Sequence, residues 1–199
     1  MANAPFDPNK VLLTGENPFM RLAEAEDGPI TTNASFWRIV FSPGGPGHVL
    51  FLNSELTSGL WRVYSDNIAM TRWLQATVQG VLNPDLTDQD LPVIDADFER
   101  SGDVRSFWTE HVRTDDDDIA LTWYEIGEPV LRHTLPFSQA DRPFGSSSVL
   151  IPCMGAHLTL NSEQAAGRPL AREWDGHPFS TCALAFSESW TEWPVGESG

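Results

Sequence analysis

Basic residues are scarce in this chain, and lysine is nearly missing. Of 199 residues, 12 are Lys or Arg against 28 Asp or Glu, leaving a formal charge of -16, and Lys10 is the only lysine. The acid count is ordinary, so the charge comes from absent bases. Such a surface repels phosphate backbones and anionic lipid, which excludes nucleic acid and membrane as expected partners. A single lysine in an irregular N-terminal stretch also argues against Schiff-base chemistry. Cysteine is limited to Cys153 and Cys182, with no Cys-x-x-Cys spacing, so a zinc framework is not expected. Two buried free thiols are the favoured state, with a disulfide second. No apolar run reaches the roughly 18 residues of a membrane helix. The N-terminus "MANAPFDPNK" has no basic region followed by an apolar one. A cytoplasmic location is the expectation.

Catalytic signatures are equally sparse. There is no Gly-x-Ser-x-Gly elbow, and no His-x-His followed by Glu as in cupin metal sites. Pro43-Gly44-Gly45-Pro46-Gly47 lacks the Lys-Ser/Thr ending of a phosphate loop and precedes a β-rich run, so it reads as a hairpin turn. Asp115 to Asp118 lack the alternating ligands and glycine of a calcium loop. No cofactor is expected.

What is present is core-forming material. Hydrophobic residues make up 41% and aromatics 11%, with eight tryptophans. Residues 1–34 read as an N-terminal arm packed on the domain, with one short strand at "KVLL". Residues 35–199 read as a single domain. Its one helix, about 66–80, is capped by Ser65 or Asp66 and presents Met70, Trp73, Leu74, Val78 and Val81 on one face. Strands are expected at 94–100, 106–114, 119–126, 130–136, 147–160 and 180–190, besides the hairpin across 35–54. The fold class is therefore mainly β: an antiparallel barrel or sandwich of about eight strands with one amphipathic helix. The general layout is similar to lipocalin-like barrels, a likeness that no motif carries.

The segment "TEHVRTDDDDIALTWYEIGEPVLRHTL", residues 109–135, reads as a three-stranded meander. A turn at the aspartates sets Thr114 opposite Ile119, and a turn at "IGEP" sets Glu125 opposite Val130. His111, Thr122 and His133 then form one row, with Tyr124 and Arg113 on the same face. Glu110, Trp123 and Arg132 form the neighbouring row on the other face. His111, His133 and Tyr124 are the catalytic candidates, for acid–base work. Thr122, Arg113, Arg132, Trp123 and Glu110 are the ligand-binding candidates, Arg132 because its fork matches a carboxylate. His157 is a possible third ligand were a metal bound, although no metal site is expected. The leading functional expectation is a barrel binding a small apolar or aromatic metabolite in its interior, with isomerase, lyase or cyclase chemistry. The alternatives are a non-catalytic interaction protein with an acidic surface and a metal-dependent β-barrel enzyme. The expected partners are a small-molecule ligand and a second copy of the chain.

Overall fold

The computed structural model describes residues 10–136, 143–174 and 176–192. The first nine residues of the expected arm and Trp193 lie outside them. Among the described residues the protein is mainly β, with fifteen strands and one helix. β1 (Val11–Glu16), β2 (Phe19–Ala23), β3 (Ile30–Phe41), β4 (Gly47–Ser54) and β5 (Trp61–Ser65) precede the helix. Ten strands follow it: β6 (Val93–Asp95), β7 (Asp97–Asp103), β8 (Phe107–Arg113), β9 (Asp118–Ile126), β10 (Val130–Thr134), β11 (Phe144–Leu160), β12 (Glu163–Gln164), β13 (Ala171–Trp174), β14 (His177–Ser180) and β15 (Cys182–Glu192). The segment expected as an irregular arm thus supplies two strands, and β1 lies between β3 and β15.

Thirteen strands form one sheet: ten follow the path β6-β5-β4-β3-β1-β15-β11-β9-β8-β7, while β10 and β12 pair with β11 and β2 pairs with β15 and β3. Pairing is antiparallel except between β5 and β6. The end strands of this path, β6 and β7, are separated in the chain only by Ala96. The chain therefore passes directly from one end of this path to the other.

Side-chain alternation divides the sheet into an inner and an outer face. The inner face gathers a buried cluster from both halves of the path, including Leu22, Phe36, Leu52, Leu121, Trp123 and Leu184. Cys153 and Cys182 belong to it as free thiols, and burial pushes both up to about 12. On the outer face Trp37, Val49, Phe51 and Val63 pack against Met70, Leu74 and Val78 of the helix. That helix starts at α1 (Ile68–Leu74), continues as a π-helical segment over Gln75–Gln79, and closes with Gly80–Leu82. Asn67 caps it, rather than Ser65 or Asp66, by accepting from Met70 N at 3.1 Å. Asp66 instead pairs with His48 Nδ1 at 2.6 Å.

The expected meander is corrected in two places. At the aspartates, Thr114 N donates to Asp117 O, and the Thr114 hydroxyl accepts from Asp116 N and Asp117 N. The turn is therefore 114–117, and pairing starts at Arg113 opposite Asp118. This shifts the register by two residues, keeping faces but changing partners. Asp117 is held by Tyr64 Oη at 2.7 Å and Arg62 at 3.1 Å, which draws the turn toward β5. At "IGEP" there is no hairpin. β9 and β10 lie end to end along β11, with Ile126 opposite Cys153 and Val130 opposite Leu150. Three residues on one side span two on the other. Pro129 and Pro152 fall in this gap, where neither has an N–H to give the ladder.

Candidate functional site

Because β10 pairs with β11, Arg132 lies opposite Ser148. On the other side of Ser148 the β11–β15 ladder slips, from Ser147 opposite Ser189 to Val149 opposite Phe186. Ser187 and Glu188 thus share the place facing Ser148, a bulge whose first residue, Ser187, has φ 51°. The extra residue inverts the alternation of β15. Cys182 and Leu184 point into the inner cluster, whereas Glu188 and Trp190 point outward. The outer face consequently carries the row Arg132, Ser148, Glu188, and beside it Thr134, Ser146, Trp190.

These rows form the floor of a cleft of about 370 Å³. One wall is the end of the helix, with Gln79 and Leu82; another is Trp174 of β13; Phe19 and Arg21 of β2 complete it. The size is near the lower end of ordinary metabolite sites.

Several polar groups here are buried without a hydrogen-bond partner among the described residues. Glu188 accepts from Trp190 Nε1 at 2.8 Å through Oε1, while Oε2 has none. Burial pushes its carboxyl up to about 7, against the smaller opposing pull of the Trp190 bond. Gln79 Oε1 accepts from Trp37 Nε1 at 2.8 Å and Ser35 Oγ at 3.3 Å, which fixes its amide so that Nε2 is the unpartnered end. Ser148 Oγ is the third such atom. Gln79 comes from the π-helical segment, a rare conformation that recurs at functional sites. A Cβ at Gly80 would run into Gln75 O, so glycine accommodates the wide turn. Asn17 is held by Ser35 Oγ and Phe36 O. The Arg132 guanidinium stacks 3.6 Å above the Trp174 ring.

Of the residues expected to form a site, the structure brings Arg132 to this cleft and distributes the rest. The histidine row does not form. His111 lies opposite Ala120 and contacts Ser101 Oγ at 3.1 Å, Thr122 is bonded to Thr109 Oγ1 at 3.0 Å, and His133 is exposed opposite Ser147. Arg113 shares a smaller cleft with His111 and pairs with Glu99 at 2.7 Å. Tyr124 rests against His157, ring centres 5.8 Å apart.

The Glu110, Trp123, Arg132 row is absent as well. Trp123 is fully buried in the inner cluster and donates to Phe19 O at 3.0 Å. Glu110 is fully buried, pairing with Arg100 at 2.7 Å and Arg38 at 3.4 Å. Glu16 contacts both arginines, closing a ring of alternating charge between β1, β3, β7 and β8. That ring is structural, since every member already faces an opposite charge. Among the described residues no group of three metal-ligating side chains comes together.

Sequence reasoning missed Glu188 and Gln79. In "FSESW" a glutamate between serines reads as a solvated strand end. The available signal was Glu188-x-Trp190, which places an acid and a large aromatic on one face. For Gln79 the signal was a pair of amides, Gln75 and Gln79, flanking Val78 within an apolar stripe. No family model matches the chain, and neither a curated protein nor a solved structure was found to be similar to it.

Proposed function

We propose that the protein binds a small metabolite in this outer cleft and that Glu188 provides acid–base chemistry on it. The observation that carries the reading is the set Glu188 Oε2, Gln79 Nε2 and Ser148 Oγ, three buried polar atoms around one cavity without partners among the described residues. Each unmet group costs about 1–3 kcal/mol, and a ligand that satisfies them recovers that cost. Phe19, Leu82, Leu150 and Trp190 supply apolar walls for a ring or branched body. The sheet is read as a closed barrel, supported by the joining of β6 to β7 through Ala96. Its interior holds the buried cluster, so the ligand site moves from the expected interior to the outside.

The reaction class is isomerase or lyase, metal-independent. Glu188, near its midpoint at neutral pH, takes a proton from carbon as carboxylate and returns it elsewhere as acid. It replaces His111 and His133 in that role, since neither lines the cleft.

A metabolite panel with neutral, anionic and cationic members tests the reading by tryptophan fluorescence and thermal shift. Trp174 and Trp190 make the cleft self-reporting. At least one compound class should quench the wild type and raise its melting temperature. Both responses should shrink at least tenfold in apparent affinity in Gln79→Ala and Trp174→Ala. Either no response in the wild type or an undiminished one in both variants sinks the site.

A further inference from the structure

The three polar atoms of the cleft without partners among the described residues differ in hydrogen-bonding character, and the difference selects a ligand. Gln79 Nε2 can only donate, at any pH. Its aim is fixed from behind: Oε1 is held by Trp37 Nε1 and Ser35 Oγ, and Ser35 Oγ accepts in turn from Asn17 Nδ2 at 3.0 Å. Asn17 N donates to Ala185 O at 2.9 Å, on the strand that carries Glu188. None of these bonds uses the Nε2 end, so a ligand meets N–H groups already oriented. Glu188 is an acceptor as carboxylate and a donor as acid, and the Ser148 hydroxyl serves either way. In the sheet β15 lies between β1 and β11, with β3 beyond β1. Gln79 is anchored on β3 and Ser148 stands on β11, so a molecule that meets both passes over Glu188.

Charge on that molecule would disable the acid. A cation against Oε2 would hold Glu188 ionised, and an anion there would hold it protonated. Among the described residues the charged groups facing it across the cleft are Arg21 of β2 and Arg132 of β10. Neither contributes to its shift, which burial and the Trp190 bond account for. β1 puts Gly15 opposite it, and β3, β11, β13 and the helix turn only uncharged side chains to the cleft. An uncharged ligand leaves Glu188 near its midpoint at neutral pH, where one group can take a proton and give it back.

We infer that the substrate is an uncharged carbonyl compound with a C–H beside the carbonyl, and that Gln79 is a second catalytic residue, holding the carbonyl oxygen through Nε2. This names the substrate class for the cleft assigned above and rests on that assignment. The Glu188 carboxylate takes the α-proton, the C–H electron pair becomes the C=C bond, and the carbonyl π pair moves onto oxygen. The N–H groups of Gln79 meet the charge that develops there, in a buried setting where such a donor counts most. Glu188, now the acid, returns the proton to the same carbon or to the far end of the enolate, so no further reactant is consumed. Ser148 is left for a second oxygen on the ligand.

2-Indanone, 2-indanol, 2-aminoindane and indane-2-carboxylate share one body and differ in charge and in the carbonyl. Tryptophan quenching measures their binding, and proton NMR in D2O measures α-proton exchange above the buffer rate. Near pH 7 the ketone should bind at least tenfold more tightly than the amine or the carboxylate, with an affinity that does not change across neutral pH. The protein should accelerate its exchange, with a rate that rises to a plateau above pH about 7 as Glu188 becomes the carboxylate. Glu188→Gln should keep the binding and lose the acceleration. Gln79→Ala should slow exchange at saturating ketone by about 100-fold or more, beyond its loss of affinity. Gln79→Met, which keeps the side-chain bulk, replaces it should the first lose its melting transition. Tightest binding by the amine or by the carboxylate overturns the uncharged class while leaving the cleft assignment intact. Binding of the ketone without accelerated exchange overturns the carbonyl chemistry and again leaves the cleft. Exchange as fast in the Gln79 variants as in the wild type removes Gln79 from catalysis. Absence of binding by all four compounds overturns the inference, and the earlier metabolite panel then decides the fate of the cleft itself.

Discussion

Glu188 is costly where it stands, and the cost depends on pH. Its carboxyl is fully buried with one oxygen unpartnered, and burial lifts it from 4.5 to about 7. Between those values the folded state holds a proton that the unfolded chain has released, so stability falls as pH rises through the window. Below about 4.5 Glu188 is neutral in both states and exacts no charge penalty; above about 7 the penalty is complete. At 1.36 kcal/mol per pKa unit its ceiling is about 3 kcal/mol. Glu188→Gln keeps an acceptor for Trp190 Nε1 and removes the titration. Urea denaturation should show it more stable than the wild type by about 1–3 kcal/mol near pH 8, with the gap closing near pH 4.5. A gap that stays constant with pH would place the effect in packing rather than ionisation. Retention of so unfavourable a group fits a site kept for function. Arg132, by contrast, was singled out from the sequence, and the structure places it in the lining of the cleft.

At the scale of elements, the strands were legible and their partners were not. Alternation and turn residues located the β3–β4 hairpin, the helix face at Met70, Trp73, Leu74 and Val78 but not at the exposed Val81, and the runs that became β8, β9 and β11. Register was lost wherever one extra residue or one tertiary anchor decided it. Asp117 reaches Arg62 and Tyr64 across a separation of more than fifty residues, which no local pattern encodes. The segment "IGEP" was read as a turn, whereas the chain there runs on from β9 to β10 along β11, with Pro129 in the gap between them. The bulge at Ser187 matters most. A strand read in strict alternation puts Glu188 and Trp190 beside Leu184, on the inner face. The observed inversion moves both to the cleft. Ser187 sustains it with φ 51°, a left-handed conformation that costs a non-glycine residue about 1–2 kcal/mol. Ser187→Gly should therefore stabilise the protein by up to about 1 kcal/mol, its unfolded-state entropy offsetting part of the relief, with cleft ligands bound as before. Ser187→Val should destabilise by at least about 1 kcal/mol, because a β-branched side chain tolerates that region poorly. The two denaturation midpoints check this, and a stabilising Ser187→Val would mean that the bulge is not held in the left-handed form.

At the scale of the whole molecule, charge opposes the fold. With 28 acids and 12 bases, most carboxylates have no arginine to meet, and compaction brings them together. Two effects of salt compete. Screening weakens the exposed pairs, such as Arg113 with Glu99, but exposed pairs are worth only about 0–1 kcal/mol each. The ring of Glu16, Arg38, Glu110 and Arg100 is better protected, because Glu110 is buried and the arginines are about one-quarter exposed. Screening also relieves the general repulsion, which acts between many carboxylates at distances where salt is most effective. The Debye length falls from about 30 Å at 0.01 M to about 3 Å at 1 M. Repulsion therefore loses more than the pairs do, and sodium chloride should stabilise the protein. The melting temperature should rise by at least about 2–4 °C over that range, equivalent to about 1 kcal/mol or more for a domain of this size. Acid provides a second check. Protonating surface carboxylates from pH about 7 to about 5 lowers the same repulsion and also removes the Glu188 penalty, so both act in one direction. Glu188→Gln separates them: it should retain the salt response in full and lose only part of the acid response. A melting temperature that falls with salt in both proteins would show that the pairs, and not the excess of acid, dominate the electrostatics of this fold.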